Sequence, residues 1–157
     1  MFQIGDNIVY PMYGAGVISK IEEKEVLGES HSYYFVNLPH SKMDVMIPVD
    51  NAENIGVRHV IDKSSLDSVL EVLGGETEHM HPNWNKRFRE NNEKLKTGDI
   101  YIVASVVRNL VRSDRVKRLS TGEKKLLGNA KQILESELML ACDITLKEAD
   151  ELVESHI

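Results

Sequence analysis

Gly5-Asp6-Asn7-Ile8-Val9-Tyr10-Pro11-Met12-Tyr13-Gly14-Ala15-Gly16-Val17 places a turn, an apolar run and a second break in quick succession. Ile4–Asn7 reads as a turn feeding an Ile8-Val9-Tyr10 strand, which Pro11 ends or edges because proline offers no amide proton to a ladder. Gly14 and Gly16 allow a tight bend or a close backbone approach. Val17–Ile21 begins a second strand that continues, polar, through Glu22–Glu25. Leu27-Gly28-Glu29 marks a hairpin, Tyr33–Leu38 has strand composition, Pro39–Lys42 turns the chain, and Met43–Val49 alternates. Short strands at this spacing predict a small SH3- or Tudor-like barrel over residues 1–60.

From Ser64 the period becomes helical, which makes the chain α+β, with a helical domain of about five helices over residues 64–157. Ser64 or Ser65 can cap a helix bearing Leu66, Val69, Leu70 and Leu73 on one side. Glu76–Pro82 is a polar connector, and Asn83 can cap a helix on which Trp84, Phe88 and Leu95 share a face. Thr97-Gly98-Asp99 breaks the chain before the apolar stripe of Ile100–Arg112. Ser120-Thr121-Gly122-Glu123 and Thr145-Leu146-Lys147-Glu148 are capping boxes, each opening a further helix.

The 157 residues are 41% hydrophobic and carry a formal net charge of −6. No apolar run reaches the roughly 18–20 residues needed to span a bilayer, and the N-terminus lacks a secretory pattern, so a soluble, cytoplasmic protein is expected. A single cysteine, Cys142, excludes an intramolecular disulfide framework and a Cys-rich zinc site. The charge is unevenly placed. Residues 84–131 hold thirteen Lys/Arg against five Asp/Glu, whereas the segments before and after sum to −8 and −6. A basic block inside an acidic chain suggests a polyanion-binding face, weakened for free DNA by its flanks.

Signals for catalysis are thin. Gly14-Ala15-Gly16 is too short for a dinucleotide fingerprint, His79 and His81 lack a third zinc ligand nearby, and nothing activates Cys142. We read a non-enzyme with no metal and no cofactor. The residues that stand out are Trp84 and its neighbours Lys86, Arg87 and Arg89, the only tryptophan at the first turn of the most basic helix. Trp84 either continues the core stripe of Phe88 and Leu95 or stands exposed as an apolar wedge between cations, an arrangement that minor-groove binders use to unstack base steps.

Several separated motifs carry a resemblance. Gly5–Val17, Pro48–Arg58, Asn83–Phe88, Lys94–Asp99, Val106–Leu110 and Leu119–Lys124 are similar to the CarD-like (CarD/CdnL) bacterial transcription regulators, whose barrel also occurs in transcription–repair coupling factors. The resemblance implies a Tudor-like domain that docks on a lobe of the RNA polymerase β subunit. It also implies a helical domain that meets the upstream edge of melting promoter DNA in its minor groove. Trp84 would then be the wedge, and Lys86, Arg87, Arg89, Lys124 and Lys125 would be phosphate contacts. Lys24 falls where the family often has a basic polymerase contact, and Met46 where many relatives have arginine. The function implied is a non-catalytic regulator that stabilises the promoter open complex. The rival reading is an interaction adaptor with a peptide-binding barrel and a helical dimerisation domain.

Overall fold

The computed structural model describes residues 1–157. Five antiparallel strands come first: β1 (Asn7–Tyr10), β2 (Gly14–Val26), β3 (Glu29–Leu38), β4 (Met43–Pro48) and β5 (Arg58–His59). They form one sheet in the order β4-β3-β2-β1-β5. Between β4 and β5 lie a 3-10 turn and the short helix α1 (Ala52–Ile55), neither of which is foreshadowed in the sequence pattern. Five longer helices follow: α2 (Leu66–Leu73), α3 (Trp84–Lys96), α4 (Ile100–Val116), α5 (Thr121–Cys142) and α6 (Leu146–His156). The chain is α+β, and no helix is long and apolar enough to cross a membrane.

Turn chemistry explains the strand ends. The β1–β2 turn is closed by the Tyr13 amide donating to the Tyr10 carbonyl, with Pro11 first and Met12 second at φ 74°. That is a type II turn, whose second position requires positive φ. Met12 accepts the strain and packs against the helical core. Leu27 and Gly28, both at positive φ, make the two-residue turn that suits the right-handed twist of a hairpin. The second strand starts at Gly14, three residues before the sequence placed it. Glycine is needed there because a Cβ on Gly14, at φ 106°, would lie 2.7 Å from Ser136 Oγ.

Two apolar cores form, one inside the sheet around Ile8, Tyr34 and Ile47, the other among the helices around Leu95, Leu110 and Leu134. Polar contacts join them. The Ala15 amide donates to Ser136 Oγ at 2.9 Å. Glu137, whose side chain is only 2% exposed, accepts two bonds of 2.7 Å from Arg58 and one of 2.9 Å from the Ile61 amide. Arg58 also donates to the Gly98 carbonyl at 2.9 and 2.7 Å, so strand β5 is tied to α5 and to the α3–α4 corner at once.

Helix caps follow the sequence with two differences. Asn83, Asp99, Ser120 and Thr145 all cap through their side chains, and the Thr145–Glu148 box is complete. Ser65 stands at the start of α2 without a side-chain cap bond, because a 3-10 turn at Lys63–Ser65 already leads into the helix. At α5, Ser120 accepts from the Glu123 amide, but the Glu123 carboxylate turns away to Arg87. A bidentate, charge-assisted pair outweighs one bond to a backbone amide.

The α5–α6 contact holds a second polar cluster, in which Glu135 is buried and its charged neighbours are partly exposed. Lys131 bridges Asp150 and Glu154 at 2.8 Å each. Burial, reinforced by a hydrogen bond to Asp150, pushes the Glu135 carboxyl up to about 8. Bonds to Glu135 and Lys131 hold Asp150 below the usual carboxylate range. Folded protein therefore keeps a proton on Glu135 that unfolded chain releases near the ordinary glutamate value of 4.5, so Glu135 lowers stability as pH rises from there to about 8. Asp150 works in the opposite sense, its contribution being present at neutral pH and lost as pH falls through its depressed value. Glu135→Gln should raise the melting temperature by several degrees at pH ~8 and by little near pH ~4.5, since a tenfold difference in proton affinity is worth about 1.4 kcal/mol. Thermal denaturation of both proteins across that range measures it.

Candidate nucleic-acid and partner interfaces

The N-terminus of α3 and the N-terminus of α5 meet at one end of the helical domain. Arg87 Nε and Nη2 donate to the two carboxylate oxygens of Glu123, each at 2.7 Å, and the Glu123 side chain is 2% exposed. Arg87 Nη1 donates to the carbonyls of His81 and Pro82 at 3.1 and 3.4 Å. The hydrogen bond to Glu123 raises the Arg87 pKa further. Every nitrogen of this guanidinium is therefore engaged inside the protein, whereas the sequence reading places Arg87 among the phosphate contacts. Its place in the sequence, among free cations, carries no hint that α5 brings a buried carboxylate to it.

One turn earlier, Trp84 is the first residue of α3 and is 53% exposed, while Phe88 and Leu95 turn into the core. The stripe read from the sequence thus loses its first member, because the helix begins just where the chain leaves the polar connector. Lys86 and Arg89 on α3, and Lys124 and Lys125 on the first turn of α5, are exposed and form no ion pair within the chain. Lys117 and Arg118, in the loop leading to α5, are exposed too and join this end; in the sequence they are indistinguishable from the rest of the basic block. Much of the rest of that block is internal wiring. Arg108 pairs with Glu78, Arg115 and Lys131 pair with Glu154, and Arg112 donates to the Leu73 and Gly75 carbonyls.

On the sheet, Lys24 and Met46 come together around Phe35. Met46 and Lys20 sit directly across from Phe35 on the two neighbouring strands, with Lys20 Nζ 4.5 Å and Lys24 Nζ 5.7 Å from the ring centroid. Cations at this distance are held over the ring face by its quadrupole. Strand β4 is an edge of the sheet, so this face adjoins a row of unpaired backbone groups. Phe35 and Lys20 are additions that the register alone supplies.

Comparison with known proteins accounts for both halves. Residues 2–61 match the family model CarD-like/TRCF RID domain, and residues 68–154 match CarD, C-terminal domain. A Bacillus subtilis (strain 168) protein described as "Putative transcription factor YdeB" is 45% identical over 149 residues, covering 94% of this chain and 97% of that one. The solution NMR structure of the N-terminal domain of Myxococcus xanthus CarD is 32% identical, covers 38% of this chain and 79% of its own, and has a TM-score of 0.34. The two family models and the Bacillus subtilis relative make the protein a transcription regulator in class. The chain belongs to the CarD-like family.

The aromatic and ionic features should separate cleanly on mutation. Glu123→Ala leaves Arg87 charged and half enclosed, a change that typically costs about 3–5 kcal/mol, and should lower the melting temperature by about ten degrees. Trp84→Ala removes an exposed ring and should move it by about 1–2 °C. In the unmodified protein, Trp84 emission should be water-like and readily quenched by acrylamide; a blue-shifted, protected emission would contradict its exposure.

Proposed function

We propose that this protein is a non-catalytic regulator that binds RNA polymerase through its β domain and stabilises the promoter open complex through its helical domain. The observation that carries the reading is Trp84, exposed on the first turn of α3 and held by the Arg87–Glu123 pair among the free cations Lys86, Arg89, Lys124 and Lys125. A wedge favours melting only if it binds the melted state better than the closed duplex. Insertion at an already unstacked upstream edge meets that condition, and the cations hold the phosphates on either side in the minor groove. In this reading Arg87 is a positioning residue and Lys117 and Arg118 join the phosphate contacts.

The β domain supplies the tether. Its Lys24, Lys20, Phe35 and Met46 face, beside the free β4 edge, is the surface proposed to dock on the polymerase β-subunit lobe, and the match of residues 2–61 supports this. With Met46 in place of a cation, that contact is more apolar. Tethering supplies an effective concentration of about millimolar, so the helical end needs only weak affinity for DNA. A cytoplasmic protein that meets the nucleoid through polymerase follows from this.

Trp84→Ala should leave capture of polymerase unchanged and shorten open-complex lifetime by one to two powers of ten. A stacking aromatic is worth roughly 1–3 kcal/mol, at about 1.4 kcal/mol per decade. Lys86→Ala and Arg89→Ala should have smaller effects that fade as salt rises. Lifetimes after competitor challenge measure this, and an unchanged lifetime with Trp84→Ala removes the wedge. Lys24→Glu, by contrast, should weaken polymerase capture in a pull-down while leaving the affinity for free DNA as it was.

A further inference from the structure

The 13-residue helix α3 is held at both ends, and the two holds differ in kind. At its tip, beside Trp84, Arg87 grips Glu123 within the helical domain. At its base the chain turns through Gly98, and there the β domain takes hold. Arg58 uses all five of its N–H groups around this corner. Nε and Nη2 donate to the Gly98 carbonyl, Nη1 and Nη2 to the two Glu137 oxygens, and Nη1 to the His59 carbonyl, at 2.7–2.9 Å. Pro11 of the β1–β2 turn closes on the same glycine: a Cβ on Gly98, at φ 69°, would lie 3.0 Å from Pro11 Cγ. A side chain there is disfavoured twice, by backbone conformation and by the proline ring.

We propose, on the reading that the β domain is the tether and Trp84 the wedge, that Arg58, Glu137 and Pro11 are positioning residues. They clamp the base of α3 to the β domain, so that α3 acts as a strut delivering Trp84 to one base step of the promoter.

Length sets the leverage. Thirteen residues at about 1.5 Å each put the tip about 20 Å from the base. A tilt of about 10° at the base displaces that tip by about 3.5 Å, and successive bases on one strand are about 3.4 Å apart. Play of that size therefore shifts the ring by a whole base step. The hold at the tip does not remove this freedom, because Glu123 and α5 belong to the helical domain and move with α3. Contacts that cross between the domains do remove it: the Arg58 cluster at the base of α3, the Ala15–Ser136 bond, and Met12 against the helical core.

The chemistry of the clamp favours geometry over stability. A buried ion pair adds little net stability relative to apolar side chains of the same volume, because desolvation offsets the attraction. What it adds is direction. A planar fork of fixed donors admits one arrangement of Glu137 and Gly98, whereas apolar contact is non-directional. Glu137 is 2% exposed and also accepts from the Ile61 amide at 2.9 Å, so its carboxylate is held from both sides of the junction. Lysine at position 58 would keep the charge and lose the fork.

The test compares the full chain with Arg58→Lys and with Pro11→Ala, a second variant that leaves every ion pair in place. Spin labels on cysteines introduced by Glu53→Cys on α1 and Asn85→Cys beside Trp84, in a Cys142→Ser background, report the distance between the domains. We expect a single narrow distribution in the parent and a broader one in both variants. In the unlabelled variants, polymerase capture and affinity for free DNA should match the parent. Open-complex lifetime should fall about threefold, as the ring's effective concentration is shared among the original step and one on either side. If Arg58→Lys melts below the assay temperature, Pro11→Ala decides. A pair that merely stabilises the fold predicts a lower melting temperature with distances and lifetime unchanged below it; that result overturns the proposal, as does a broad distribution in the parent. An unchanged lifetime with Trp84→Ala removes the wedge, and with it the role of the strut, even where the distances behave as expected, so the two failures are told apart.

Discussion

A carboxylate taken out of water must be paired, bonded or protonated, and α5 buries three of them. Glu123 meets Arg87, Glu135 keeps a proton beside Asp150, and Glu137 meets Arg58. Each solution ties α5 to a different part of the chain: α3 and its connector, α6, and the end of the sheet. Desolvation makes the two ionic attachments, at Glu123 and Glu137, nearly all-or-none, because removing either partner strands a charge rather than merely losing a bond. The helix thus acts as the spine on which the other elements take their places.

Two of these attachments bear directly on the proposed function. The Arg87–Glu123 pair fixes the first turn of α3 against the first turn of α5, so that Trp84 and the cations of both turns face solvent together. The Arg58–Glu137 pair, with the Gly98 carbonyl and the Ile61 amide, fixes the sheet to the helices, so the distance between the Lys24–Met46 face and Trp84 is set by the protein rather than by a loose linker. Under the proposed function, a regulator that reaches DNA from a docking point on another protein gains from such rigidity, since less freedom has to be lost on assembly. The third attachment, around Glu135, joins α5 to α6 on the far side of α5 from the sheet–helix pair.

Much of the fold was legible because it rests on local rules. The switch from alternating to helical period near residue 60, the turn at Leu27-Gly28, and the caps at Asn83, Ser120 and Thr145 depend on neighbours within four residues, and all are present. Of the site residues, Trp84 could be singled out by position and composition, though not whether it pointed inward or outward. Phe35 and Lys20 were missed because only strand register places them beside Lys24 and Met46. Lys117 and Arg118 were missed because a run of thirteen cations does not say which of them have partners elsewhere in the chain.

The sequence by itself determined the α+β order, the element types, the family, and the concentration of positive charge in residues 84–131, all of which are written in short-range patterns and composition. Tertiary structure alone decided how that charge is divided between internal pairs and a free surface. Arg87 and Arg89 are two residues apart on one helix, yet one is locked to Glu123 and the other faces water. The difference arises from a carboxylate 36 positions along the chain, brought within 2.7 Å by helix packing. Local sequence cannot report it, because the partner's desolvation, not its spacing, is what makes the pairing obligatory.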